Sequence, residues 1–513
     1  MTVAGHKAER VGFGVSPEPH SPKAALLLGA GVFLLAFAVR LLPVFVFPGI
    51  NHPDEVFQTV EQAHRLVYGT GLVPWEFVYG TRSWILPGVL AGLIELAKLL
   101  GHGPRLYTPL IGAALAALGA GTALCAFFWG KRFFGISGAL IAGVFTAVWI
   151  DNVYFGPRTL SDSVAAHLLV LGLYASAPAD PAAAGRGRAA AAGALLALAG
   201  LLRIQLMPAI ALVGVWSLFT GLRRHPLVFV ASGLLLVLAY GGVDAISWGY
   251  PFESLWRNLV ANLYYGAQHA FGVLPVYWYV AIIVGYWTGF AALVLVLCLV
   301  GAVRLPQPFV AAALIWLSLS LIGHKEFRFI YPALLLVIIV AGVGLAQIAA
   351  WVGDVLTDRG WAARRATMVT AGAAIVLTAL AQLAFADGSD AYHKLWSRGR
   401  DMLLASRYVA RLPAVCGIGI LDHSWVWTGG YAAFHQTVPL YWSGLDGPLD
   451  PDSTAFNTIL YDRDKAFGAG YVERACFGDA CVAQRPGGCT PAPAQIMSFP
   501  PVRLGNWQPA GRR

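Results

Sequence analysis

Long apolar runs separated by short polar intervals set the pattern of this chain. The runs fall at residues 24–47, 106–129, 134–150, 160–177, 189–202, 204–220, 227–247, 276–300, 309–322, 329–351 and 366–386. Most are long enough to cross hydrocarbon as a helix, so the pattern predicts about eleven membrane spans. A further stretch, 84–101, is apolar but short and carries Glu95 and Lys98. Placing it on the outer surface, not across the membrane, puts Lys131/Arg132, Arg186/Arg188, Arg223/Arg224, Arg304 and Arg359/Arg364/Arg365 all on the inner side, as the positive-inside rule requires. The same choice leaves the loops bearing Asp54, Arg158/Asp162 and Lys325/Arg328, and the C-terminus, outside.

This pattern divides the chain into a polar N-terminal tail (1–23) with Lys7, Arg10 and Lys23, a membrane module (24–386) whose first outer loop is 48–104, and an extramembrane C-terminal part (387–513). The tail's charges favour the cytoplasm, and no Ala-x-Ala site follows the first run, so that run is expected to remain as an anchor. Within the first outer loop, Val56, Phe57, Val60, Ala63, Leu66 and Val67 recur at helical spacing while Glu61, His64 and Arg65 fall opposite. That spacing predicts an amphipathic helix lying on the membrane with its charges in water. In the C-terminal part, 416–421 and 437–441 read as strands in a small mixed α/β domain. It holds four of the six cysteines, Cys416, Cys476, Cys481 and Cys489. An even number on an oxidising face predicts two disulfides of unspecified pairing, with a zinc site as the rival reading.

Composition sharpens the class. Of 513 residues, 58% are hydrophobic and 12% charged, with mean hydropathy +0.66, which excludes an ordinary soluble protein. The net charge of +9 does not point to nucleic acid, because the basic residues cluster at span ends.

Three polar clusters interrupt the apolar pattern, all on the predicted outer side. The first is His52-Pro-Asp54-Glu55 with Trp75-Glu76-Phe77 and Arg82-Ser83-Trp84. The second is Arg158-Thr-Leu-Ser-Asp162-Ser163, preceded by Asp151-Asn152, and the third runs from His324 through Lys325, Glu326 and Arg328 to Pro332. One charged residue at a span end is ordinarily an anchor or a cap. Three such groups on one face mark a substrate path, because charges at that depth are costly unless paired. Arg203, near a break between two short runs, must face protein or a lipid head group for the same reason.

In order and spacing, HPDEVFQ, WEF, GTRSW-x-x-P, RTLSDS and HKEFRFIYP resemble the GPI mannosyltransferase and dolichol-phosphate-mannose-dependent mannosyltransferase family of GT-C glycosyltransferases, over roughly residues 48–332. HKEFRFIYP is the most specific of these pieces. The resemblance implies a GT-C bundle that moves a hexose, mannose in that family, from a polyprenyl-phosphate donor to a lipid- or glycan-linked acceptor, with inversion, on the non-cytoplasmic face. It implies Asp54 as general base, with Glu55 as its alternate. The second cluster departs from the family at Asp162, where relatives commonly carry Asn.

The residue types suit that chemistry independently. A sugar hydroxyl attacking an anomeric carbon needs a carboxylate to take its proton, and a departing lipid phosphate needs cations: Lys325 and Arg328 with His324, then Arg158 and Arg203. Trp75, Trp84 and Phe327 offer faces for sugar or isoprene, or serve as interfacial aromatics. Glu326 is expected to pair with Arg82 or Arg328. No Asp-x-Asp occurs in these loops, so neither metal nor cofactor is required. The remaining alternatives are a transporter or flippase of a lipid-linked substrate, a scaffold or receptor, and a GT-C enzyme for another sugar. The Ala/Gly/Arg-rich composition favours a bacterial plasma membrane.

Overall fold

The structure, a computed structural model, describes residues 22–490 apart from 422, 444–448 and 466–467, together with 492. The cytoplasmic-tail expectation for Lys7 and Arg10 therefore lies outside the described residues. The protein is a multi-pass helical membrane protein. Among the described residues, five helices are long and apolar enough to cross a membrane: Pro22–Phe45, Pro104–Val148, Pro226–Ser247, Phe327–Asp358 and Ala363–Gly388. A sixth span is available if Trp278–Trp287 and Phe290–Ala302, bent by 109°, count as one.

The difference from eleven has identifiable sources. Two expected runs merge in Pro104–Val148, a 45-residue helix broken at Phe134 and Gly135. Gly135 sits at φ 63°, a left-handed conformation that turns the chain back cheaply only without a side chain. Ser161–Ser176, Arg186–Leu202, Ile204–Phe219 and Pro306–Leu321 are shorter apolar helices. Ser161–Ser176 lies deep in the bundle and the other three are partly buried there, so neighbouring helices shield much of their apolar surface. Ile85–Lys98, 14 residues long, packs Leu86, Leu90, Ile94 and Ala97 against the bundle.

Tyr331–Asp358 runs through the centre, with residues 330–336 and 338–344 buried throughout. Helix Phe290–Ala302 approaches it so closely that a Cβ on Gly344 would stand 1.9 Å from the Leu297 carbonyl oxygen. Pro332 opens this central helix, and the short 3₁₀ turn Phe327–Ile330 leads into it. A buried carboxylate fastens the bent pair: Asp151 accepts the indole N–H groups of Trp149 and Trp287, at 3.0 and 2.8 Å, and the Tyr392 hydroxyl at 2.9 Å.

The C-terminal part builds a five-stranded sheet in the order β2-β1-β3-β5-β4. The strands are β1 (Ile418–Ile420), β2 (Leu440–Trp442), β3 (Thr458–Asp462), β4 (Val472–Phe477) and β5 (Ala480–Gln484). β1 runs parallel to β2 and β3, while β5 runs antiparallel to β3 and β4. Helix Arg400–Val409 packs on the sheet through Met402, Leu403, Ala405 and Val409. Disulfides join Cys416 to Cys489 and Cys476 to Cys481.

The expected surface helix takes a different role. After a wide turn at Val56–Val60, helix Glu61–Tyr68 buries Glu61, Gln62 and His64. Glu61 accepts the backbone N–H groups of Leu72, Tyr431 and Ala432 at 2.7, 3.0 and 2.8 Å. Glu61 and His64 of this helix thus dock against the rest of the protein, and only Arg65 of the expected polar face stays partly exposed. Local periodicity cannot reveal a partner some 370 residues later in the chain.

Candidate active site

The first and third clusters meet on the wall of one cavity of about 440 Å³, and the second lies directly behind it. His52-Pro-Asp54 enters from the loop after the first span. His324 and Glu326 come from the segment before the central helix, and Arg328 from the turn that opens it. The backbone at Glu326 is extended, so alternate side chains point to opposite faces. His324 and Glu326 line the cavity. Lys325, between them, turns away, its Nζ donating to the Leu274 carbonyl at 2.9 Å and to that of Ile322. The expected Lys325 contact to a phosphate is therefore replaced by a tie to the neighbouring loop.

The charges form one network. Arg328 donates from Nη2 to Asp54 Oδ2 and from Nε to Glu326 Oε2, each at 2.6 Å. Its Nη1 lies 3.7 Å from Asp162 Oδ2, and Asp162 pairs on its other oxygen with Arg203. Both guanidinium groups cover the Phe329 ring, at 5.0 Å for Arg203 and 4.7 Å for Arg328. His324 Nε2 stands 2.9 Å from Glu326, and His52 bridges Asp54 and Glu326 at 3.3 and 3.4 Å. Burial alone would raise the Asp54 carboxyl, but the Arg328 guanidinium and then His52 outweigh it and hold the group well below the usual carboxylate range. Glu326 is likewise held low by Arg328 and His324 against the effect of burial.

Across the cavity, Glu76 behaves differently. It accepts a hydrogen bond from Gln58 Nε2 at 2.7 Å, and burial followed by the nearby Asp54 charge pushes its carboxyl up to about 7. Arg82 also lines the cavity, and its guanidinium hydrogen-bonds to no other described residue. An arginine held in a cavity with its donors unused is arranged for an anion.

Glu55, next to Asp54, faces elsewhere. It is buried, accepts the Asn51 amide, and pairs with Arg158 Nη1 at 3.3 Å. Arg158 stacks over Tyr154 at 4.3 Å, and both charges line a separate cavity of about 120 Å³. The large cavity thus collects His52, Asp54, Trp75, Glu76, Arg82, Arg203, His324 and Arg328 from the expected site residues. Glu55, Arg158, Asp162 and Lys325 lie outside its wall. Phe327 stacks on Tyr286 at 4.4 Å and Trp84 packs on Phe77, so neither offers its ring to the cavity.

Sequence reasoning missed Gln58, Asn258, Asn262 and Trp425 on this wall. Asn258 and Asn262 stand four residues apart in the helical stretch 253–264, a polar stripe whose spacing was a usable signal. Nothing local marks Trp425, which arrives from the C-terminal domain. The rest of the wall is apolar and includes Leu259, Leu263, Phe271, Leu319 and Ile322.

A multi-helix membrane bundle with a carboxylate and arginine site at one end and a small capping sheet domain defines the GT-C class of glycosyltransferase folds. Over 90% of this chain and 98% of the other, the structure resembles that of ArnT from Cupriavidus metallidurans bound to undecaprenyl phosphate, with a TM-score of 0.56 at 14% identity. Residues 31–393 match the Alg9-like mannosyltransferase family, and the chain belongs to that family. It is 30% identical over 319 residues to GPI mannosyltransferase 3 of Drosophila melanogaster, covering 59% of this chain and 54% of the relative. It is 26% identical over 366 residues to GPI alpha-1,2-mannosyltransferase 3 of Mus musculus, covering 65% and 62%. The chain thus spans less than two thirds of the length of either relative.

Proposed function

We propose that the protein is a mannosyltransferase that moves the sugar from a polyprenyl-phosphate donor to a hydroxyl of a lipid- or glycan-linked acceptor, with inversion, on the non-cytoplasmic face. One observation carries the reading. Asp54 and Arg328, 274 positions apart, meet at 2.6 Å on the wall of a cavity that also holds the Arg82 guanidinium, which hydrogen-bonds to no other described residue. The apolar side of that cavity suits a prenyl chain and the cationic side its phosphate.

In the reaction the acceptor oxygen forms a bond to the anomeric carbon as the bond from that carbon to the phosphate oxygen breaks. The electron pair leaves with the lipid phosphate and the hydroxyl proton passes to Asp54. A carboxylate locked to Arg328 is a weak base. Donor phosphate bound by Arg82 and Arg328 competes for that guanidinium, releasing Asp54 and raising its basicity beside the acceptor. Asp162, Glu326 and His52 hold Arg328 and Asp54 in register.

Sidedness has its own support. Arg132, Arg188 and Arg224 bond to carbonyls of the 174–182 turn, and Arg304 covers Phe133 and Phe134, which gathers the basic clusters at span turns on the sequence side opposite the catalytic loops. The test is transfer by the purified full-length protein from a panel of polyprenyl-phosphate sugars, with the product read by mass spectrometry. Transfer of mannose that disappears in Asp54→Asn supports the reading. Absence of transfer from every donor, by protein shown to be folded, overturns it.

A further inference from the structure

A second cavity of about 440 Å³ lies away from the reacting groups, where the end of the first span, the start of helix Pro104–Val148 and helix Arg400–Val409 of the C-terminal domain converge. Arg105, Arg407 and Arg411 line it, with His102 and His435, and no carboxylate does among the described residues. None of these three guanidinium groups forms an ion pair or side-chain hydrogen bond within the described chain. Arg407 is half-buried at the junction of this cavity and the smaller one beside Glu55, and burial pushes its guanidinium down to about 10. A desolvated cation flanked by two more, with no internal counter-charge, is stabilised by an external anion. Val44, Phe45 and Pro109 supply the opposite, apolar wall at the level where spans leave hydrocarbon, which is the depth of phospholipid phosphates.

We propose that this cavity is a phosphate-binding site, distinct from the donor cavity, that takes the phosphate of an anionic membrane lipid from the outer leaflet. Arg407 forms the inner contact, and Arg105 and Arg411 form the rim. An occupant there links the first span to the C-terminal domain that also supplies Trp425 to the reaction cavity.

The full-length protein is reconstituted in phosphatidylcholine vesicles with phosphatidylglycerol titrated in, and the lipids retained after extraction are identified by native mass spectrometry. A parallel arm titrates inorganic phosphate without phosphatidylglycerol. The wild type is expected to retain phosphatidylglycerol over phosphatidylcholine. Arg407→Gln should weaken retention about tenfold or more, the range for losing a charge-assisted contact, and the rim variant Arg105→Gln should weaken it less. Arg82→Gln, in the reaction cavity, should leave retention unchanged, which separates the two sites. Saturable binding of inorganic phosphate that depends on Arg407 would retain the anion site and assign it a soluble ligand. Equal retention of both lipids with no phosphate binding, or retention unaffected in both Arg407→Gln and Arg105→Gln, overturns the proposal. Should Arg407→Gln fail to fold, the exposed double variant Arg105→Gln/Arg411→Gln decides it.

Discussion

Asp54 and Glu55 are consecutive carboxylates on opposite faces of one turn. Asp54 faces the large cavity and is held by Arg328 from the turn that opens the central helix. Glu55 faces inward to Arg158 and the Asn51 amide. Glu61, a little further on, also serves the inward face, gripping two backbone amides of the C-terminal domain and that of Leu72 in its own loop. Residues 51–61 therefore carry one chemical face and one structural face, and burial of charge serves opposite ends on the two. On the chemical face the proposed donor phosphate would compete for an ion pair. On the structural face every partner is internal, and breaking a pair leaves a buried charge alone.

Substitutions separate the faces. The largest effect is expected from Asp54→Asn, which should lower transfer about 10² to 10⁴-fold, the usual contribution of a general base, with thermal unfolding near that of the wild type. Full activity in this variant would remove Asp54 from the chemistry. Next, Arg82→Gln should raise the KM for donor about tenfold or more at nearly constant stability, because the Arg82 guanidinium makes no hydrogen bond to another described residue. Glu55→Gln should do the reverse, costing about 1–3 kcal/mol in denaturant unfolding while kcat stays within a few-fold of the wild type. A catalytically dead but fully stable Glu55→Gln would exchange the two faces.

The most gradual effect is a pH dependence. Burial, against the three backbone amides, pushes Glu61 up to about 7, above the ordinary value near 4.5 that it regains on unfolding. The folded state then binds more protons between those values. Stability therefore falls as pH rises from about 4.5 to about 7 and is flat beyond, with a slope of at most ~1.4 kcal/mol per pH unit from this group. Glu76, also raised to about 7, adds a slope of the same sign. Melting curves of Glu61→Gln across this window should show a reduced slope, and an unchanged slope would mean that Glu61 is not the titrating dock.

Much of this arrangement is legible in the residues themselves. The apolar runs and their flanking arginines define a membrane bundle, and the HPDE and HKEFRFIYP segments announce charges too costly to leave unpaired near a bilayer. What a linear reading cannot supply is direction. Lys325 and Arg328 look alike as cations three positions apart, but the extended backbone before the 3₁₀ turn sends one to a loop carbonyl and the other to Asp54. Helix Glu61–Tyr68 has the periodicity of a surface helix because its polar side meets protein backbone, which is as polar as water. Trp425 reaches the cavity only through that docking. Fewer than eleven helices among the described residues reach full membrane length, because a helix surrounded by other helices needs no full membrane length of its own.

The turn bearing Arg328 leads straight into the central helix, whose residues 331–344 are buried apart from Val337. That guanidinium is consequently a fixed post, and Asp54 meets it from the first helical turn after Pro53. Under the proposed mechanism, departure of the spent carrier lipid would let the Asp54–Arg328 pair re-form and quench the acid, so that an empty site would hold no strong base open to water and would reset itself after each turnover.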